Sequence, residues 1–220
     1  MKTTILFDLD GTLTDSAPGI FETLRYALNK QNITPPNDLD FVLGPPLMDT
    51  FCNTFHMSQQ SAEQAYKDYC ERYSEKGMYE NSVFEGIKEM LSELKKHGKK
   101  LAVATSKSQD FAQQIIEHFG LSEYFYFVSG NYIGQRDTKA KVVRYALEQL
   151  NETPQSAVLV GDRMYDIIGG KEAGVSVIGV LYGYGTLQEL QQYSADAIAQ
   201  TPQDVVNIIL NWDKKIELSD

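Results

Sequence analysis

The sequence predicts an α/β protein: a parallel β-sheet with helices on both faces and a helical insertion after its first strand. Three observations lead there. Short apolar runs bounded by polar residues or glycine alternate with longer stretches of helical period, which is the βα alternation of a covered parallel sheet. Residues 9–99 hold no convincing strand, a far longer interval than a βα connection needs. The 220 residues are 42% hydrophobic and 23% charged, the balance of a globular chain with a real core.

The expected strands are 4–8, 100–105, 126–129, 157–161 and 175–180, all short and mostly rich in Val, Ile, Leu or Phe, as strands buried on both faces should be. Between them run helices with apolar stripes: Ile87/Met90/Leu91/Leu94 before Gly98, Phe111/Ile115/Phe119 before Gly120, and Val142/Val143/Ala146/Leu147/Leu150. Thr201-Pro202 opens a last helix carrying Val205, Val206, Ile209 and Leu210, with Thr at the N-cap and Pro at the first helical position. The insertion reads as helices, with Ile20/Leu24/Leu28 on one stripe and Ala62/Ala65/Tyr66/Tyr69/Cys70/Tyr73 on another. Pro35-Pro36 and Gly44-Pro45-Pro46 punctuate it. The expected division is therefore a core of residues 1–15 and 82–220 and an inserted unit of residues 16–81. An insertion at that point lies toward the carboxyl ends of the strands, where open α/β sheets bind ligands, and is placed to act as a lid. Gly44-Pro45-Pro46 is either the lid's contact with a ligand or a plain turn between helices.

Composition excludes several functions. With 20 Lys+Arg against 30 Asp+Glu the formal charge is -10, and the basic footprint of a nucleic-acid binder is missing. No apolar run approaches a membrane span, and only three apolar residues precede Asp8, too few for a secretory leader, so a cytoplasmic chain is expected. Cys52 and Cys70 form no paired motif and read as free thiols. His56, His97 and His118 lack metal-ligand spacing. No heptad pattern appears, and a monomer or weak dimer is expected.

The chemistry starts where the first strand ends, at Asp8-Leu9-Asp10-Gly11-Thr12. Two carboxylates two residues apart converge if the chain bends at the glycine. The strand 100–105 ends in Thr105-Ser106-Lys107, hydroxyls and amides at the mouth of a helix, which suit a phosphate. The strand 157–161 leads into Gly161-Asp162-Arg163-Met164-Tyr165-Asp166, and Lys139 and Lys141 open the preceding helix. Four acidic groups gathered at strand ends repel one another, so a hard divalent cation is the natural partner.

These segments, in this order, resemble the haloacid dehalogenase superfamily, and within it the phosphoglycolate phosphatase-like branch. Gly44-Pro45-Pro46-Leu47 and Glu71-Arg72-Tyr73 are similar to that branch's recurring cap segments. The resemblance implies a Rossmann-like core with a helical cap and a Mg²⁺-dependent phosphatase acting on small phosphate monoesters through an aspartyl-phosphate. A 5′-nucleotidase, a tyrosine-phosphate phosphatase or a sugar phosphomutase are the alternatives. It implies Asp8 as nucleophile and Asp10 as general acid and base, the latter kept protonated by crowding among carboxylates. Thr105 and Lys139 complete the catalytic set, and Gly11, Thr105, Ser106 and Lys139 bind the phosphoryl group. Mg²⁺ is held by Asp8, the Asp10 carbonyl and Asp162, with Asp166 ordering its waters. The chain departs from the branch in following Lys139 with Ala140 rather than proline. Positions 139 and 141 point about 200° apart on a helix, so only one serves the site, and Lys139 stands nearer the helix start. Arg163 is expected to pair with a carboxylate for structural reasons, and the tyrosines of the second insertion stripe to be buried. An intact Asp-x-Asp speaks against a dehalogenase, and the insertion speaks against a receiver-like binding protein.

Overall fold

Thr4-Ile5-Leu6-Phe7 has no polar face to offer water, so it can be a strand only in the middle of a covered sheet. In the computed structural model, which describes residues 2–45 and 47–217, it forms β1 (Thr4–Phe7), buried along its whole length. The other strands of its sheet are β2 (Lys100–Ser108), β3 (Phe127–Asn131), β4 (Ala157–Gly161), β5 (Ser176–Val180) and β6 (Ala197–Ala199). They lie in the order β3-β2-β1-β4-β5-β6, and every neighbouring pair is parallel. The chain fills one side of β1 and then crosses to the other, so β1 and β4 meet at the topological switch point, where the crevice beyond the strand ends opens. In register, Phe7 stands beside Val103 of β2 and Val160 of β4, which brings residues 8, 105 and 162 to one rim.

Contacts divide the chain into two compact units, one of residues up to Asp15 with those from Val83 onward, the other Ser16–Ser82. In the first, α3 (Ile87–Lys96), α4 (Gln109–His118), α5 (Lys139–Leu150), α6 (Met164–Ala173), α7 (Leu187–Gln192) and α8 (Pro202–Glu217) accompany the sheet. One of its apolar layers joins Leu6, Leu159 and Val177 of the sheet to Val143 and Leu147 of α5 and Ile167 of α6. The second unit pairs α1 (Ala17–Lys30) with α2 (Gln59–Arg72) around Leu24, Leu28, Phe51, Ala62 and Ala65. Of the Gly44-Pro45-Pro46 turn, Pro46 lies outside the described residues. Among the described residues no helix is long and apolar enough to cross a membrane.

Several elements differ from expectation for identifiable reasons. The first strand stops at Phe7, and β2 continues past Thr105 to Ser108 through a register shift between Ala104 and Ser108. β6 went unanticipated because three residues are too short for any strand template. On α4 the buried line is Ala112, Ile115 and Ile116, one step round from the expected Phe111/Ile115/Phe119 stripe, since both phenylalanines are only half-buried. Tyr73, just past the end of α2, is buried, but Tyr66 within it is 36% exposed. Asp68 is drawn inside instead, because Lys30, Gln31 and Gln64 donate to its oxygens at 3.3, 3.1 and 3.4 Å. A buried carboxylate is tolerable when its lone pairs are filled in this way.

The inserted unit depends on a backbone contact that admits no side chain: a Cβ at Gly19 of α1 would collide with the carbonyl oxygen of Gly77. Backbone cannot swing aside as a side-chain tip can. Gly19→Ala is therefore expected to cost about 1–3 kcal/mol, read as a lower urea midpoint. Gln113→Ala, on the exposed face of α4, is expected to stay within about 0.5 kcal/mol of wild type.

Candidate active site

The sheet ladder carries Asp8 to the rim: its N–H still donates to Val160 O at 2.9 Å although β1 has ended. Beyond it the chain turns back on itself. Gly11, at φ 75°, donates its N–H to Thr14 O at 2.8 Å, and the Leu13 and Thr14 N–H groups both donate to Leu9 O. The left-handed backbone favours glycine, and the space demands it, because a Cβ there would collide with the Asp162 carboxylate. The resulting tight loop turns the chain back at Asp10 rather than letting it run on.

β4 delivers the second pair of carboxylates. Asp162 is fully buried, accepting from the Thr12 hydroxyl at 3.3 Å and from the Tyr184 N–H at 2.8 Å. Asp166 sits in the first turn of α6 and accepts the Arg163 N–H at 3.0 Å, capping the helix start. Gly161 leaves room for it, since a Cβ there would collide with the Asp166 carboxylate. Carboxylate oxygens of Asp8, Asp162 and Asp166 lie within 4.8 Å of one another.

The cation facing this group is Lys139, the first residue of α5. Thr138 caps that helix by accepting the Lys141 N–H at 3.3 Å. Lys139 Nζ stands 2.8 Å from Asp8 Oδ1 and 2.6 Å from Asp166 Oδ1, with its side chain 5% exposed. Lys141 points away and pairs with Asp137 at 2.7 Å in solvent. Thr105 is buried, its hydroxyl accepting the Lys107 N–H at 3.2 Å, while Ser106 is exposed.

The profile of the haloacid dehalogenase-like hydrolases matches residues 5–180. The chain belongs to that family. It is 39% identical over 203 residues to a 5′-nucleotidase of Pseudomonas aeruginosa, covering 89% of this chain and 92% of that one. It is likewise 39% identical over 197 residues to the tyrosine-protein kinase PtkA of Mycobacterium tuberculosis, covering 88% of this chain and 67% of that one. A crystal structure of a predicted phosphatase from Clostridium acetobutylicum superimposes with a TM-score of 0.90 at 41% identity, covering 96% of this chain and 99% of the other.

The electrostatics of this haloacid dehalogenase-like hydrolase follow from three carboxylates around one ammonium. Burial pushes Asp8 above the usual carboxylate range, against the pull of Lys139. Burial also pushes Asp162 well up, and the charges of Asp166 and Asp8 add to it. Burial pulls Lys139 down, but the carboxylates of Asp166 and Asp8 outweigh it, leaving the ammonium pushed up to about 12. The cluster is thus short of positive charge even with Lys139 in place, the condition under which a hard cation with oxygen ligands binds.

Two parts of the site were not read from the sequence. Lys107 Nζ lies 2.8 Å from Asp10 Oδ2, an ion pair the sequence reading did not include. The signal was available, since Lys107 stands two residues beyond Thr105. The loop carrying Tyr184 lies after β5, where no motif marks it. Arg163 pairs with Glu189 at 3.0 Å, a contact between α6 and α7.

Lys139→Met would leave Asp8 and Asp166 facing each other without their shared cation. Its kcat/KM on p-nitrophenyl phosphate with Mg²⁺ is expected to fall by at least about 10²-fold, whereas Lys141→Met should remain within about twofold of wild type, as expected of an exposed pair.

Proposed function

We propose that this hydrolase, a phosphatase of its family, is a Mg²⁺-dependent enzyme that hydrolyses small phosphate monoesters through an aspartyl-phosphate on Asp8. The observation that carries the reading is the convergence of Asp8, Asp162 and Asp166 within 4.8 Å, with Lys139 wedged between two of them. That convergence supplies a nucleophile, a hard-oxygen cation site and a fixed positive charge at one point.

The donor set fits Mg²⁺: hard carboxylate oxygens, buried and short of positive charge. Asp8, the Asp10 carbonyl and Asp162 would hold the ion, with Asp166 fixing its waters, and when bound it offsets the charge of the phosphoryl oxygens. Asp8 attacks phosphorus while the bond to the leaving oxygen breaks, and Asp10 donates its proton to the departing alkoxide. Water then attacks phosphorus, Asp10 takes the proton back, and the bond to Asp8 breaks, releasing inorganic phosphate. The two steps replace one difficult displacement. Lys139 keeps Asp8 aimed and meets the incoming phosphoryl charge, the Thr105 hydroxyl and the Gly11 and Ser106 region bind phosphoryl oxygens, and Lys107 holds the Asp10 side chain in place. In this reading Ser16–Ser82 is the cap that selects the leaving group and shields the intermediate from bulk water. The 39% identity to a 5′-nucleotidase favours a narrower second reading, in which the monoester is a 5′-nucleotide.

Four measurements test the reading. Asp8→Asn should lower kcat on p-nitrophenyl phosphate by at least about 10³-fold while leaving the melting temperature near that of wild type. Asp10→Asn should lower turnover by about 10²-fold or more, less for aryl than for alkyl phosphates in single-turnover cleavage, because a good leaving group needs little acid. Equal losses for both would contradict the acid role. Removal of divalent ions with EDTA should abolish activity, and Mg²⁺ should restore it. Release of inorganic phosphate without a bisphosphate activator separates the phosphatase from a phosphomutase.

A further inference from the structure

The loop between β5 and α7 reads Leu181-Tyr182-Gly183-Tyr184-Gly185, and it makes contacts at three places in the same unit. The Tyr184 N–H donates to Asp162 Oδ2 at 2.8 Å. The hydroxyl of the same residue donates to Asp15 Oδ1 at 3.0 Å. The Tyr182 ring stands edge-on to Phe84, with centroids 5.6 Å apart and planes at 68°. The two glycines let the loop lie directly on the site: a Cβ at Gly183 would collide with Gly11 O, and one at Gly185 with Asp162 O.

The position of these partners in the chain is what gives the contacts meaning. Asp15 is the last residue before the chain leaves for the inserted unit, and Phe84 is the second after it returns. One loop therefore grips both crossing points and the carboxylate at the centre of the cluster. Among the described residues Asp162 accepts from Thr12 on Oδ1 and from Tyr184 on Oδ2, so the N–H at 184 helps set the direction of its remaining lone pairs. That N–H can be aimed only if the backbone at 184 is held, and the far end of the same side chain is anchored at Asp15.

We propose that Tyr184 is a positioning residue for the cation site, tying the aim of the Asp162 carboxylate to the point where the chain crosses into the inserted unit. The proposal rests on the reading of Asp162 as a cation ligand. The chain leaves for the inserted unit after Asp15 and returns at Val83, so the bond from Tyr184 joins that crossing point to the ligand carboxylate.

The test is isothermal titration of MgCl₂ into the full-length, ligand-free protein as wild type, Tyr184→Phe, Asp15→Ala and the double variant, with the melting temperature of each taken without metal. Tyr184→Phe keeps the ring and the backbone N–H and removes the hydroxyl that donates to Asp15. The Mg²⁺ Kd is expected to rise about tenfold or more in each single variant, the usual scale for losing support behind a metal ligand, and no further in the double, because both remove one bond. Melting of the metal-free singles should stay within about 2 °C of wild type, since one partly buried side-chain bond contributes little to the stability of a chain this size. A Kd within twofold of wild type in Tyr184→Phe, additive losses in the double variant, or a loss matched by a large fall in melting temperature would overturn the proposal while leaving the phosphatase reading intact. A wild-type protein that binds no Mg²⁺ would remove the reading of Asp162 as a ligand, and the proposal with it.

Discussion

One ammonium group, that of Lys139, makes the site possible. Parallel strands ending at a common rim bring Asp8, Asp162 and Asp166 close enough to repel, and burial removes the water that would otherwise screen them. Lys139, within 2.8 Å of two of the three, converts part of that repulsion into attraction. It does not neutralise the group, and the excess is useful: a site with carboxylates to spare is one that a divalent cation and a phosphate dianion can complete together.

The fold is arranged around that point. β1 lies at the switch point, so loops from strands on either side reach the same crevice, and α5 starts close enough for the first residue of the helix to enter it. Close packing of backbone on carboxylate recurs: Gly11 and Gly183 lie against Asp162, and Gly161 lies against Asp166. These are positions where any side chain would displace an acid, so rigidity of the carboxylates is obtained by bringing main chain up to them. Preorganisation of this kind means the charges need not rearrange as the reaction proceeds.

The sheet was legible in the sequence because doubly buried strands are continuous apolar runs, and the meeting of Asp8, Asp162 and Asp166 was legible because each follows such a run at its carboxyl end. The choice between Lys139 and Lys141 was legible too, since helical period separates them and the helix start decides which faces inward. What escaped was set by tertiary contact. Asp68 is buried where Tyr66 was expected because partners from a distant helix end fill its lone pairs. Lys107 meets Asp10 across two segments far apart in sequence, a pairing no periodicity encodes, and the Tyr184 loop carries glycines whose purpose shows only when Asp162 is seen beneath them. β6 is simply too short to stand out from its flanks.

In the proposed reaction Asp8 receives the phosphoryl moiety, and this can be seen directly. Asp10→Asn protein in excess over a ³²P-labelled aryl phosphate, quenched in acid after a single turnover and digested, should carry label on the peptide containing Asp8, because the good leaving group allows the first step while the missing base stalls the second. Release of labelled phosphate with no labelled protein at any quench time, or label on a peptide lacking Asp8, would contradict it.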